Sequence, residues 1–501
     1  MGKKQKTFRP KARLPRGFKD RLGAELVAER EMLSRISAVY ERWGFDPLET
    51  PAFEYTDALG KFLPDVDRPN AGVFSVQDDD DQWMSLRYDL TAPLARFVAE
   101  NYDGLPKPFR RYQAGPVWRN EKPGPGRFRQ FTQCDADTVG APGAEADAEI
   151  CALFADVIEA AGIDRGDYLV RVSDRRVLDG VLEVNGVSAA DQKLAVLRSL
   201  DKLDRLGADG VRALLGEGRK DESGDYTEGA KLNEDQIASV LSIFQLPGAD
   251  GDSRPSEADW LDAWRKAIKG SEVGEQGLAS LETLFATLRA MGFADDRICL
   301  DGAVVRGLEY YTGSVFEADL LLETIDEKGR PVQIGSVGGG GRYDGLVARF
   351  KGTAIPAVGV SIGVSRLIAA QSLKKTGDAV DAMGPVVVLA LEPGRMGEYQ
   401  KMAAELRAAG MRAEVYLGGS SMRAQMKYAD KRAAPVAVIE GEDERVKGEI
   451  TIKDLVRGAA LSQEIEDNKE WREAQPAQFA VKRDALVDAV KTTLARHQSG
   501  E

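Results

Sequence analysis

Apolar residues recur at helical spacing through Leu22, Leu26, Leu33, Ile36, Val39, Tyr40 and Trp43, which predicts an amphipathic helix ended by Gly44. The stretch from Phe45 to Phe53 reads as extended, with Pro47 and Pro51 arguing against a central strand. Val73–Val76 and Trp83–Leu86 read as short strands. The aspartates at 78–81 between them read as a solvated hairpin tip rather than a metal site. From Phe109 to Val139, strand-like segments flank a reversal at Lys122–Gly126 marked by Pro-Gly-Pro-Gly chemistry. Ile150, Leu153, Phe154, Val157 and Ile158 define a second amphipathic helix. Residues 165–295 are rich in Leu, Asp and Lys at helical spacing and read as a mostly helical insertion with flexible loops. Strand character returns at Ile298–Val305 and Ser314–Leu322. A glycine-rich turn is expected at Gly338–Gly341, then an apolar run, Ala357–Leu367. From Gly384 the pattern is strand–helix–strand–helix–strand, opened by the apolar run Pro385–Leu391, which is the signature of an α/β domain. A last helix is expected over Val481–Arg496, and no internal repeat is visible.

The chain has 501 residues, room for about three domains. Residues 1–16 are basic and read as a solvated arm without the apolar stretch of a secretory signal. No run approaches the ~18 apolar residues of a membrane helix. The three cysteines, Cys134, Cys151 and Cys299, form no CxxC pair, which fits a reducing cytoplasm and argues against a zinc site. The one histidine, His497, lies near the C-terminus. Ser-His-Asp chemistry and a His-rich metal site are thereby excluded, and no metal held by protein histidines or cysteines is expected. The net charge of −13 argues weakly against bulk nucleic-acid binding, although a local basic face can still contact phosphates.

Four constellations can carry chemistry. Arg119, Arg127 and Arg129 lie across one strand–loop–strand reversal. They read either as a surface charge ladder or as a polyphosphate clamp, since guanidinium forks bind phosphate oxygens bidentately. Phe131 nearby offers a flat ring for stacking a base. Arg306-Gly307-Leu308-Glu309-Tyr310-Tyr311 suits a strand entering a polar pocket, though on its own a core strand with ordinary tyrosines explains it as well. Gly338–Gly341 followed by Arg342-Tyr343-Asp344 is not a P-loop, because the Lys-Ser/Thr ending is missing. In Val358–Leu367, small residues precede Arg366 at a helix start, an arrangement that favours phosphate.

Together these segments resemble the histidyl-tRNA synthetases, a family of class II aminoacyl-tRNA synthetases. RNEKPGPGRFRQF is similar to motif 2 of that class, GVSIGVSRL to motif 3, and Leu48-Glu49-Thr50-Pro51 to motif 1, a dimer-interface element. VVRGLEYYTGSVFE, LRYDLTAP, GGGGRYDGL and SDRRVLDGV resemble segments of the histidine family, and Ser421–Leu455 resembles its anticodon-binding domain. The resemblance implies an α/β multidomain protein: a class II antiparallel-sheet catalytic core, a mostly helical insertion and a C-terminal α/β anticodon-binding domain. The implied boundaries are an arm at 1–16, core at 17–164 and 296–378, insertion at 165–295 and anticodon domain at 384–497.

It also implies site roles, residue by residue. Asp89, Thr91 and Gln133 match positions that hold the substrate's α-ammonium, and Asp137, Tyr310 and Tyr311 belong to the histidine site, with Asp137 and Tyr311 reading the imidazole. Asp89 and Asp137 stand where some family members carry Glu. Arg119 and Arg306 match catalytic positions at the α-phosphate and the histidine carboxylate. Arg127 matches a position facing the terminal phosphates, Glu121 one contacting adenine, and Phe131 and Arg366 the pair that sandwich it. The implied reaction is histidine–tRNA ligation with ATP as substrate and Mg²⁺ on its phosphates. The implied partners are L-histidine and tRNA(His), and the implied assembly is a cytoplasmic homodimer off the membrane. Arg423, Lys427, Lys431 and Arg432, on a basic helix, are candidate tRNA contacts. Two other readings share part of the pattern: a non-catalytic regulatory subunit of histidine biosynthesis, which lacks the anticodon domain, and a class II synthetase for another amino acid, against which RGLEYYTG speaks.

Overall fold

The structure is a computed structural model that describes residues 10–59, 72–124, 128–220, 226–244, 254–304, 311–325, 331–374, 383–464 and 477–499. The expected arm therefore lies mostly outside the described residues. The chain divides into two compact units, Met1–Gly377 and Asp378–Glu501.

The first unit is built on one eight-stranded sheet. In chain order its strands are β1 (Asp46–Pro47), β2 (Phe109–Trp118), β3 (Gln130–Val139), β4 (Tyr168–Asp174), β5 (Ile298–Leu300), β6 (Ser314–Ile325), β7 (Pro331–Arg342) and β8 (Ala357–Gly363). The spatial order is β1-β2-β3-β8-β7-β6-β4-β5. The β2 to β4 stretch of that order is antiparallel throughout, and only the edges β1 and β5 pair in parallel. Pro47 sits on the edge strand, where its missing N–H costs no ladder bond.

One sheet face is packed against helices. Side chains alternate along a strand, so Tyr112, Cys134, Ala136, Val358, Val360 and Ile362 share this face. They join a core with Ile36, Tyr40, Phe154 and Val157 of the helices Ala24–Arg42 and Ala144–Ala160. The first helix ends where expected, with Gly44 at φ 79°. Leu22 falls outside that helix and is exposed, because the helix begins only after Gly23.

Three other expectations differ from the structure. The Gly338–Gly341 run is the interior of β7 rather than a turn, since it pairs with β6 on one side and β8 on the other. Its glycines are needed for close approach: a Cβ on Gly340 would overlap the Gly359 carbonyl and stand 2.7 Å from Val360 Cα. The stretch read as a helical insertion opens on β4, a strand of the main sheet, where burial on both faces hides the period of two. Beyond it the helices Ala190–Leu200, Leu203–Leu215, Glu234–Ser242, Glu257–Ala267 and Glu272–Ala290 follow. Asn233 and Ser256 open two of them with capping boxes. Val481, expected in the last helix, lies in a strand; that helix runs Leu486–Ser499.

A separate three-stranded sheet pairs Phe53–Tyr55 and Ser75–Gln77 with Trp83–Leu86, and the Asp78 carboxylate accepts from the Asp80 and Gln82 amides at its tip.

The second unit holds a five-stranded sheet of β9 (Val386–Val388), β10 (Ala413–Val415), β11 (Val436–Ile439), β12 (Glu449–Asp454) and β13 (Gln478–Lys482), in the order β10-β9-β11-β12-β13. Val386 and Val388 pack with Tyr399, Met402 and Leu406 on one face, whereas Val387 and Leu389 pack with Ala429 on the other. Burial on both faces explains why Pro385–Leu391 reads as a continuous apolar run.

Candidate active site

The face of β2, β3 and β8 opposite the helices carries polar side chains and glycines. Pairing register sets three rows across it: Gly115–Gln133–Gly363, Gln113–Asp135–Ser361 and Arg111–Asp137–Gly359. The glycines clear space for neighbours' side chains. A Cβ on Gly359 would overlap Asp137 Oδ1, and one on Gly341 would stand 2.8 Å from the Tyr311 ring. A Cβ on Gly115 would meet Arg87 Nη2 at 2.7 Å.

Asp137 is held on the floor of this face. The Tyr343 hydroxyl donates to its Oδ1, and Arg111 Nη2 lies 2.8 Å from its Oδ2. Arg111 is wholly buried and also donates to the Leu90 carbonyl at 3.0 Å. That second bond ties Asp137 to the turn carrying Asp89 and Thr91. In that turn Asp89 Oδ1 accepts from the Ala92 amide at 2.9 Å, at the start of the Thr91–Asn101 helix. Gln133 Nε2 donates to the Ser361 hydroxyl. Gln133 and Asp137 thus lie on one sheet face, and Arg111 ties that face to the turn of Asp89 and Thr91.

Its electrostatics are those of a cation receptor. Burial raises the pKa of Asp137, and Arg111 and Tyr343 pull it back. Burial likewise raises Asp89, opposed by the Ala92 amide and Arg119. Burial pushes Asp135 up to about 7 against the pull of Arg111, with Asp137 adding repulsion. Asp135 and Asp137 are buried and Asp89 is half-buried, and the buried guanidinium of Arg111 opposes the rise at each of them.

Arg119 stands beside this floor. Its Nε donates to the Tyr88 carbonyl at 3.2 Å, and its guanidinium lies 5.1 Å from the Phe131 ring centroid. Arg119 is therefore the cation nearest to hand over the Phe131 ring. Arg366, at the start of the Val364–Lys374 helix, turns instead to the Ser336 carbonyl at 2.6 Å. Glu121 is exposed, and its carbonyl accepts from Arg129 Nε at 2.9 Å. Arg127, Arg306 and Tyr310 lie outside the described residues.

Two groups at the floor are given no role in the sequence reading: Arg111 and Tyr343. The signal for Arg111 is parity, since it shares the face of Gln113 and Gly115 on β2. Tyr343 follows the glycine run directly, but only the pairing of β7 with β8 brings it to Asp137. Arg342, in the same segment, is structural. It forks onto the buried Asp147, and onto the Ala141 and Gly143 carbonyls at 3.1 and 3.0 Å. In the first motif Thr50 is buried, with its hydroxyl 3.2 Å from the Gln113 amide and its carbonyl accepting from Arg87 at 2.7 Å.

In the second unit Arg423, Lys427 and Lys431 follow one another at intervals of four along the helix Met422–Lys431, all exposed. Arg432 is committed to a bidentate pair with Glu414, both bonds 3.0 Å. Among the described residues no group of three or more His, Cys, Asp or Glu could hold a metal ion, and no helix is long and apolar enough to cross a membrane.

The family model described as histidyl-tRNA synthetase matches residues 17–367, and that described as anticodon binding domain matches residues 385–493. The histidine–tRNA ligase of Brucella ovis is 57% identical over 496 residues, covering 98% of this chain and 97% of that protein. The histidine–tRNA ligase of Caulobacter vibrioides is 57% identical over 484 residues, 97% of each. Among solved structures, histidyl-tRNA synthetase from Nostoc superposes with a TM-score of 0.71 at 28% identity, covering 97% of this chain and 100% of that one. A Bacillus halodurans chain titled ATP phosphoribosyltransferase regulatory subunit/histidyl-tRNA synthetase shares the fold at a TM-score of 0.63 and 22% identity, covering 84% of this chain and 97% of that one.

Proposed function

The chain belongs to the histidyl-tRNA synthetase family, and from that premise we propose how its residues carry the reaction. It is an aminoacyl-tRNA synthetase, a ligase that activates histidine with ATP and joins it to tRNA(His). The observation that carries the site assignment is the floor itself: Asp137, fixed by Tyr343 and Arg111, beside Asp89, Thr91 and Gln133.

Histidine lies on this floor with its α-ammonium toward Asp89, Thr91 and Gln133 and its imidazole toward Asp137, Tyr310 and Tyr311. A pocket whose polar groups are fixed for two ring nitrogens penalises a ring that leaves them unpaired. The histidine carboxylate, already ionised, attacks the α-phosphorus of ATP in line and needs no protein base. Bond formation to carboxylate oxygen accompanies cleavage to pyrophosphate. Arg119 and Arg306 stabilise the negative charge that gathers on the α-phosphate, and being fixed they do so without reorganising. Phe131 and Arg366 enclose the adenine, Glu121 contacts it, and Arg127 faces the terminal phosphates. Mg²⁺, carried in with ATP as part of the substrate, would offset the negative charge of its phosphates. In the second step a ribose hydroxyl of the terminal tRNA nucleotide attacks the adenylate carbonyl. AMP leaves, and its phosphate oxygen takes the proton.

The anticodon-binding unit, 384–497, meets tRNA phosphates through Arg423, Lys427 and Lys431. Arg432 joins them only by releasing Glu414. The protein acts as a cytoplasmic C₂ homodimer. Supporting the dimer is an exposed apolar group on one face of the three-stranded sheet next to the first motif, comprising Phe53, Tyr55 and Val76. Histidine-dependent ATP–pyrophosphate exchange tests the assignment as a whole. Exchange should require L-histidine, and comparable exchange with proline, threonine or glycine would overturn it.

A further inference from the structure

The main sheet runs out of partners beside Phe131. β8 pairs with β3 only as far as Gly363 opposite Gln133, and there the chain turns into the Val364–Lys374 helix. Among the described residues, Arg129–Thr132 at the opening of β3 therefore has β2 on one side and no strand of this sheet on the other. This short stretch carries Phe131, and Arg129 holds the facing arm of the hairpin. The Arg129 carbonyl accepts from the Arg119 amide at 2.9 Å, and its Nε donates to the Glu121 carbonyl at 2.9 Å.

Residues 17–21, to which the reading of the site gives no role, lie against this stretch. The Gly17 carbonyl accepts from the Arg129 amide at 2.8 Å. Gly17 has φ +84°, and a Cβ on it would stand 2.9 Å from both Cγ and Cδ of Arg129, so only glycine lets the chain lie this close. Phe18 packs on Phe74 with ring centroids 5.9 Å apart, and the Arg129 guanidinium lies 5.9 Å from the same Phe74 ring. At the other end Arg21 pairs with Glu29 Oε2, while Glu29 Oε1 accepts from the Thr132 hydroxyl at 2.9 Å. Glu29 is 7% exposed, on a helix face otherwise filled by Met32, Ile36, Val39 and Tyr40. A carboxylate buried there needs both partners, which fixes its place. The segment is thus anchored at Arg129 and, through Glu29, at Thr132, on either side of Phe131.

We propose that residues 17–21 are a brace for the ATP subsite, with the Arg21–Glu29–Thr132 bridge as its latch. They are positioning residues. They touch no substrate and act by holding Phe131 and Arg119 in place for the nucleotide. The Arg119 guanidinium lies 5.1 Å from the Phe131 ring centroid, so a shift of one displaces the other. The histidine floor is anchored separately, by Tyr343 and Arg111 on Asp137, so the brace acts on ATP and not on histidine. This inference rests on the reading of Phe131 and Arg119 as ATP residues.

The test combines ATP–pyrophosphate exchange with calorimetric binding of L-histidine in the absence of ATP, on the full chain and on Arg21→Ala, Arg21→Lys and Gly17→Ala, with a thermal melt of each. A displacement of about 1 Å can cost roughly 100-fold, so Arg21→Ala should lower kcat/KM for ATP by roughly 10- to 100-fold. Histidine affinity should stay within about threefold, because its anchors are independent of the brace. Arg21→Lys should recover the larger part of the loss, since the pair uses a single N–H of the guanidinium. Gly17→Ala strikes the other anchor with the latch intact and should show the same split. Hydrogen exchange should quicken at the amides of 119–124 and 128–132 in Arg21→Ala and stay unchanged at 134–139. Normal ATP kinetics in both alanine variants overturn the proposal. So does equal loss for ATP and histidine, which is what a merely structural role gives. Should Arg21→Ala fail to fold, Glu29→Gln repeats the comparison. Normal ATP kinetics in Phe131→Ala would instead sink the assignment of that ring to ATP, and the brace with it.

Discussion

Replacing Asp135 by Asn should stabilise the ligand-free protein at pH 8 and do little below about pH 4. Burial, opposed by Arg111 and reinforced by Asp137, pushes the Asp135 carboxyl from 3.8 to about 7. Between those two values the folded protein binds more protons at this group than the unfolded chain does, so stability falls as the pH rises through the window. Below the window the penalty is absent, and above it the penalty is complete. The span from 3.8 to about 7 corresponds to about 4 kcal/mol at ~1.36 kcal/mol per pH unit. An amide of the same shape carries no such charge. The advantage of Asp135→Asn should therefore grow from about pH 4 to pH 7 and then level off. At roughly 2 °C per kcal/mol for a unit of this size, the melting temperature should rise by about 5–10 °C at pH 8. Calorimetry and urea titration at four pH values measure it directly. Equal stabilities at pH 8, or an advantage that shrinks as pH rises, would refute the reasoning.

Four further outcomes are expected. Tyr343→Phe removes one donor from buried Asp137, at about 1.5–3 kcal/mol, so KM for histidine in pyrophosphate exchange should rise by roughly 10- to 150-fold with ATP affinity unmoved; equal effects on both substrates would contradict the assignment. Gly359→Ala places a Cβ onto Asp137 Oδ1 and 2.8 Å from the Ala136 carbonyl, so it should weaken histidine by at least about tenfold in a protein that still folds; normal affinity would show that Asp137 is not held over Gly359. Arg306→Ala should lower kcat for exchange by ~10²–10³-fold, more than it raises KM for ATP, and Arg306→Lys should recover little; near-normal exchange in a folded variant removes Arg306 from the mechanism. A chain ending at Gly377, the limit of the first unit, should keep adenylate formation and lose most tRNA charging, and equal loss of both in a folded truncation would count against separate roles for the two units.

How much of this was legible in the sequence follows from the period of each element. The Ala24–Arg42 helix shows because its buried Met32, Ile36, Val39 and Tyr40 fall on one face. The hairpin of β2 and β3 shows because two extended runs flank a Pro-Gly-Pro-Gly loop. β4 is hidden because Tyr168–Val170, Val172 and Ser173 are all buried, leaving no alternation to count. The glycine run in β7 is read as a turn because local chemistry favours one. Only the partners β6 and β8, distant in sequence, make it a strand. Site residues divide the same way. Asp89, Gln133 and Asp137 are proposed from motif resemblance, whereas Arg111 and Tyr343 reach Asp137 from 26 and 206 positions away in the chain, which no local pattern reveals.

The parity of β3 separates what folds this sheet from what makes it an enzyme. Cys134 and Ala136 point into the helix-covered core, small and apolar, and changes there act on stability. Gln133, Asp135 and Asp137 point the other way and are buried in spite of their polarity, which is unfavourable for the ligand-free fold. Gly363 and Gly359, opposite Gln133 and Asp137 on β8, add no side chain that would relieve the exposure of those acceptors to one another. Such an arrangement is unstable unless something cationic completes it, and the donors that partly complete it, Arg111 and Tyr343, stop short of Asp135. On the proposed reading of this face, the same residues weaken the empty protein and strengthen the liganded one. A substitution on the even positions of β3 should change both states alike, whereas one at 133, 135 or 137 should move them in opposite directions. That opposition is the physical meaning of a site built before its substrate arrives.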